Sequence, residues 1–215
     1  MKYRVLTITS QYGSGGPEIA ARIATELGWR LVDKQLIDHI AELARVPRDL
    51  AASYDQHVDP WHRRLLKSLW RGGFESAAAH GGDAPFDCEH MAQLSRLAME
   101  ESAAIGNCVL VGRGGQCILR GRDDAFHVFV YAPRQHRMRR VRAEAANEPE
   151  ARALIDRIDQ QRLNYIRRYF DQDWYDRRLY HLMLNSSLGD ETSGAVVICA
   201  MHTAGVGQKG LRWPS

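Results

Sequence analysis

Residues 10–18, Ser10-Gln11-Tyr12-Gly13-Ser14-Gly15-Gly16-Pro17-Glu18, place three glycines and two serines in nine positions. At the head of a helix such a stretch turns backbone N–H groups toward one point. Those groups, with the positive end of the helix dipole, hold a phosphate. Glycine lets the backbone close around the anion. Arginine supplies the complementary charge. Arg134, Arg137, Arg139, Arg140 and Arg142 crowd one stretch, and Arg157, Arg162, Arg167 and Arg168 the next. The formal net charge is nevertheless only +3. Dense guanidinium with little net charge points to a small anionic ligand rather than a nucleic-acid polymer. Two plainer readings stay open. The glycines also suit a tight turn without a ligand, and the arginines suit a solvated face balanced by Glu144, Glu148 and Glu150.

Metal and redox chemistry find less support. The four cysteines, Cys88, Cys108, Cys117 and Cys199, include no C-x-x-C pair, and the nine histidines no H-x-x-x-H pattern. Neither a zinc site nor a dithiol motif is expected. Cys108 and Cys117 sit in apolar segments and are expected to be free, buried thiols of a reducing compartment. The chain has 215 residues, 45% hydrophobic and 26% charged, so global disorder is excluded and one domain with an insert is expected. No apolar run approaches a membrane span, and the short run at 5–9 is not a signal segment, so a cytoplasmic protein is expected.

The elements that would position these residues follow from periodicity. Residues 4–9, RVLTIT, read as a strand, and Ile19–Leu27 as a helix with Ile19, Ile23, Ala24 and Leu27 on one face. Pro17 suits its first turn and Gly28 its C-terminal stop. Residues 30–32 read as a short strand ending at Asp33. Helices are expected over 34–44, around Trp61, Leu65, Leu66, Leu69 and Trp70, and over 89–105, with a flexible loop at 72–85. Strands are expected at 108–111, 127–131 and 182–184, and helices at 134–146 and 150–169. Residues 195–201 read as strand or helix, and 205–215 as an arm or frayed end. Apolar strands alternating with helices predict an α/β fold, a parallel sheet flanked by helices.

Against the phosphate-loop consensus G-x-x-x-x-G-K-[ST], Ser10 stands at the first glycine, Gly15 at the second, Gly16 at the lysine and Pro17 at the hydroxyl residue. The cradle is kept, while the ammonium and the magnesium-binding hydroxyl are not.

ITSQYGSGGPEIAARIA followed by LGWRLVDKQLI resembles the start of the cytidylate kinase-like proteins, bacterial relatives of cytidylate kinase. LVGRGGQCIL at 110–119, FHVFVYAPRQHRMRRV at 126–141, IDQQRLNYIRRYFDQDW at 158–174 and YHLMLNSS at 180–187 continue the resemblance in order. It implies a P-loop NTPase, nucleoside monophosphate kinase-like domain over 1–204, with a helical acceptor-side insert at 45–105, an Arg-rich lid at 134–178 and a tail at 205–215. The implied activity is transfer of the γ-phosphoryl group of ATP to CMP or dCMP with Mg2+. No nucleic-acid polymer and no membrane is implied, and a homodimer is admitted. The implied donor-side residues are Tyr12, Gly13, Ser14, Gly15, Gly16 and Glu18; Glu18 either holds magnesium through water or simply favours the first helical turn. On the acceptor side Asp33 either contacts the nucleotide or caps the next helix, and Arg113 clamps the monophosphate. Arg162 and Arg157, with Asp159 one turn away, would reach the transferring phosphate and replace the lysine charge. One of Arg137 and Arg140 would face the site and the other solvent. Tyr165, Tyr169, Trp61 and Trp70 suit core packing, and Asn185 and Ser186 suit turns. Pro17 departs from relatives that are often basic there. A nucleotide-binding protein without kinase activity, and a kinase for another small metabolite, are the competing readings.

Overall fold

Val5–Ser10 (β1) is buried along its whole length, as the central strand of a sheet covered on both faces must be. A computed structural model describes residues 2–33 and 88–205. The expected helices at 34–44 and around Trp61 and Trp70, the loop at 72–85 and the arm beyond Gly205 lie outside the described residues. After β1 come Gly16–Leu27 (α1), Arg30–Val32 (β2), Cys88–Ile105 (α2), Cys108–Val111 (β3) and Gly115–Ile118 (α3). Ala125–Tyr131 (β4), Arg134–Val141 (α4), Glu148–Phe170 (α5), Leu182–Asn185 (β5) and Asp190–Gly205 (α6) follow among the described residues, with single 3-10 turns at Arg177–Leu179 and Ser186–Leu188. Among the described residues, five parallel strands form one sheet in the order β2-β3-β1-β4-β5.

Period two along β1 sorts its side chains. Leu6 and Ile8 enter a core with Ile19 and Ile23 of α1, Val128 and Val130 of β4, and Val197 and Met201 of α6. Thr7 and Thr9 face the other way. Thr7 Oγ1 bonds His127 Nδ1 at 2.8 Å, and Thr9 donates to Gln116 Oε1 at 2.7 Å. The same face carries a second core of Phe129, Ile166 and Trp174.

Gly28 ends α1 in the left-handed conformation (φ 63°), as its position predicts. Residues 195–201 belong to α6, and α3 is an element that periodicity does not suggest. The helix expected to reach 146 stops at Val141. Cys108 is buried, but Cys117, in α3, is only half-buried. Among the described residues no helix is long and apolar enough to cross a membrane.

Candidate functional site

In a parallel sheet ligands gather beyond the carboxyl ends of the strands, where neighbouring connections diverge. Here β1 ends in the glycine loop, β2 at Asp33 and β3 at Gly112-Arg113-Gly114. A cavity of about 600 Å³ opens there, lined by these ends and by Ile158, Arg162, Tyr165 and Ile166 of α5, with Trp174. A second space of about 470 Å³ adjoins it over the loop, lined by Gly13, Gly15, Glu18, Arg140 and Glu144. Ser10, Tyr12, Pro17 and Arg162 line both. A donor and an acceptor site meeting at the loop would have this arrangement.

The loop backbone is fixed from several sides. Gly13 and Gly15 are left-handed (φ 77° and 82°), which glycine adopts without penalty. A Cβ on Gly13 would meet Val141 Cγ2 at 2.8 Å and Arg137 O at 2.9 Å, so α4 packs directly on it. Asp159 accepts from Tyr12 N at 2.8 Å and pairs with Arg137 at 2.5 Å. Both side chains of that pair are about 90% buried (9% and 12% exposed), so it is a buried clasp between α5, α4 and the loop. Ser186 donates to Ser14 O at 2.5 Å from the turn after β5. The Ser14 hydroxyl donates to Gln11 O at 2.7 Å, so it points into the protein and not toward a ligand.

Arg162 donates to the carbonyl oxygen of Ser10. Burial lowers its pKa, opposed by Asp159 and Tyr12; a guanidinium starts so far above neutrality that it keeps its charge. Its Cζ lies 5.9 Å from the Tyr12 ring centroid. The Tyr12 hydroxyl donates to Glu144 at 2.5 Å; burial first and Glu144 second push its pKa up to about 12, so it stays protonated. Arg140 makes two 2.9 Å bonds to Asp190 and lies 3.5 Å from Glu18. A Cβ on Gly15 would meet the Arg140 guanidinium at 2.9 Å.

A profile of the cytidylate kinase-like family matches residues 5–188. The chain belongs to that family. Among solved structures, an uncharacterised protein from Eubacterium ventriosum is 18% identical (TM-score 0.67), covering 93% of this chain and 98% of that one. A shikimate kinase from Bacteroides thetaiotaomicron is 15% identical (TM-score 0.50, 92% and 98% covered). One from Acinetobacter baumannii, solved in complex with shikimate, is 14% identical (TM-score 0.50, 94% of each chain). At these identities the likenesses establish the fold, a P-loop kinase fold. No curated protein matches the chain.

The structure brings Tyr12, Gly13, Gly15, Glu18, Asp33, Arg113 and Arg162 to the two spaces. Three expected roles change. Arg157 is exposed on α5 and lines neither space; its charge reaches as far as Tyr12. Arg137 lines neither space and bonds Asp159 and the Tyr12 carbonyl (3.4 Å), so it shapes the loop. Arg140, too, turns to the loop and not to solvent, because α4 is wedged between loop and α5. Tyr165 lines the larger cavity in addition to packing on Tyr169 (4.8 Å). Asn185 is a turn former, accepting from Ser187 N at 3.1 Å, but Ser186 reaches the loop. The contributions of Ser186, Gln116 and Asp190 depend on pairings 50–172 residues apart, which local spacing does not reveal.

Proposed function

We propose that this kinase-like protein transfers the γ-phosphoryl group of ATP to a nucleoside monophosphate, CMP or dCMP, in the cytoplasm. The observation that carries the reading is Arg162 at the junction of the two spaces, held beside a fixed glycine loop. Phosphoryl transfer needs positioning and charge neutralisation more than covalent chemistry. The amides of Gly13, Gly15 and Gly16 would receive the donor phosphates in the smaller space. Asp33 and Arg113 would hold the acceptor in the larger, whose 600 Å³ suits a nucleotide. Arg113 would grip the acceptor phosphate in bidentate fashion. Aromatic and aliphatic walls from Tyr165, Ile158 and Trp174 would exclude water.

Among the described residues no group of three or more His, Cys, Asp or Glu could hold a metal. That donor set still fits magnesium arriving with ATP, which keeps waters and phosphate oxygens and needs one or two carboxylates. Of the two carboxylates lining the smaller space, Glu18 would be the one to reach it, since its contact with Arg140 is the longer (3.5 Å) and Glu144 accepts from Tyr12 at 2.5 Å. Pro17 offers no hydroxyl. Bound magnesium would neutralise phosphate charge.

A coupled assay with ATP, Mg2+ and each nucleoside monophosphate, with shikimate as a further acceptor, tests the proposal. Turnover is expected with CMP and dCMP. Turnover with shikimate alone would redirect the acceptor assignment. Nucleotide binding without turnover of any acceptor would replace the kinase with a nucleotide-binding protein.

A further inference from the structure

Gly16 occupies the consensus lysine position, and Ser10 the position of its first glycine. Backbone conformation does not account for Gly16: the left-handed residues of the loop are Gly13 and Gly15, and Gly16 opens α1 outside the positive-φ range. Space accounts for it. A Cβ on Gly16 would collide with both Oγ and Cβ of Ser10. Both residues are buried, and the Ser10 Cβ is fixed to the β1 backbone, so turning its hydroxyl toward the two spaces that Ser10 lines does not relieve the collision. The hydroxymethyl group at the end of β1 therefore fills the volume through which a lysine stem would leave the helix. The Arg140 guanidinium, which lies against neighbouring Gly15, is held by Asp190, whereas Arg162 is bonded to the carbonyl of the same Ser10. Asp159, three residues earlier on α5, grips the next-but-one amide at Tyr12, which registers the helix on the loop.

We propose that Ser10, Gly16 and Arg162 are one unit, in which Ser10 takes the lysine's space and Arg162, registered on the Ser10 carbonyl, takes its charge. The charge half rests on the proposed kinase reading; the spatial half does not. Two departures from the consensus thereby become a single exchange: a cation on the helix head is replaced by one delivered from α5. An arginine in this place can span both spaces, since its side chain lines each of them. The unit makes a specific prediction about restoring the lysine. The consensus lysine is admitted only when Ser10 is removed, and Arg162 then becomes less important for holding ATP.

Thermal melts and calorimetric titration with Mg-ATP on the full chain test both halves. Gly16→Ala is expected to lower the melting midpoint by about 5 °C or more, the scale of an overpacked interior site. Ser10→Gly in the same chain should recover at least half of that loss. Arg162→Ala is expected to weaken Mg-ATP about tenfold or more in the parent, as removal of charge-assisted contacts does, but under about threefold in S10G/G16K. A Gly16→Ala chain as stable as the parent, or one not relieved by Ser10→Gly, overturns the spatial half. So does an S10G/G16K chain that fails to fold while S10G/G16A folds. Equal losses from Arg162→Ala in both backgrounds overturn the charge half. If the parent does not bind Mg-ATP, the proposed function and the charge half fail, while the melts still decide the Ser10–Gly16 pair.

Discussion

The loop at residues 11–16 and the turn at 112–114 both close the carboxyl end of the sheet, yet they are held in opposite ways. In the loop, positive φ falls only on Gly13 and Gly15. Its backbone is clasped by Asp159 and Ser186, and α4 packs on Gly13. In the turn, three consecutive residues are left-handed: Gly112 (φ 70°), Arg113 (53°) and Gly114 (77°). Gly114 also lies against the Phe170 ring, which leaves no room for a Cβ. Arg113 has neither excuse. An L-residue with a side chain sits in that region at a cost of roughly 1–2 kcal/mol. The loop presents backbone and admits few side chains; the turn accepts strain at one residue that lines the cavity. Under the proposed function, the first would receive phosphate as such, whereas the second would position a particular acceptor.

The comparison breaks most visibly at the junction. Arg162→Ala should lower kcat by about a thousandfold, roughly 4 kcal/mol of transition-state stabilisation, when transfer to CMP is measured. A loss below tenfold would detach Arg162 from the chemistry. Next in size, Asp159→Ala should destabilise the chain by about 3 kcal/mol in chemical denaturation, because a buried arginine loses its partner and the Tyr12 amide its acceptor. Arg137→Met should cost a similar amount, and the double variant less than the sum, since the two residues act through one pair. Additive losses would mean that the clasp is not a unit.

Arg113→Gly separates the two regions. It removes the side chain while relieving the left-handed strain, so kcat/KM for the acceptor should fall about a hundredfold while the melting midpoint stays within about 3 °C. The KM for ATP should not move. A large fall in stability with unchanged acceptor kinetics would make Arg113 a structural residue.

The smallest effect lies beneath both turns. His127 is buried between Thr7 and His181. Burial, reinforced by His181 and opposed by a hydrogen bond to the Leu119 backbone, lowers its pKa from 6.5 to about 4. The unfolded chain then binds a proton that the folded chain refuses. Stability is fully present above about pH 6.5 and drains away as pH falls toward 4, by about 2 kcal/mol between pH 7 and 5. Denaturation at those two pH values should show the slope in the parent, reduced in His127→Gln. An unchanged slope would assign it elsewhere.

How much of this was legible in the sequence follows the range of the interactions. The β1–loop–α1 unit is visible because β-branched residues, glycines, Pro17 and Gly28 each carry a local conformational preference. The short α3 is not, because four residues are too few for periodicity. Residues 195–201 are apolar on all sides and decide nothing alone; they are helical because Asp190 starts a continuous helix that packs on α1. In the site, the glycine cradle, Arg113 and Arg162 could be named in advance. The collision between Ser10 and Gly16, the Ser186 bond and the inward turn of Arg140 could not, since each arises where distant segments meet.

The most direct test is a crystal structure with a non-hydrolysable ATP analogue and CMP. The account predicts the triphosphate along the amides of Gly13–Gly16, with the Arg162 guanidinium between its terminal phosphate and the CMP phosphate, and Arg113 on the latter. A triphosphate bound away from that loop, or Arg162 turned from it, would contradict the account.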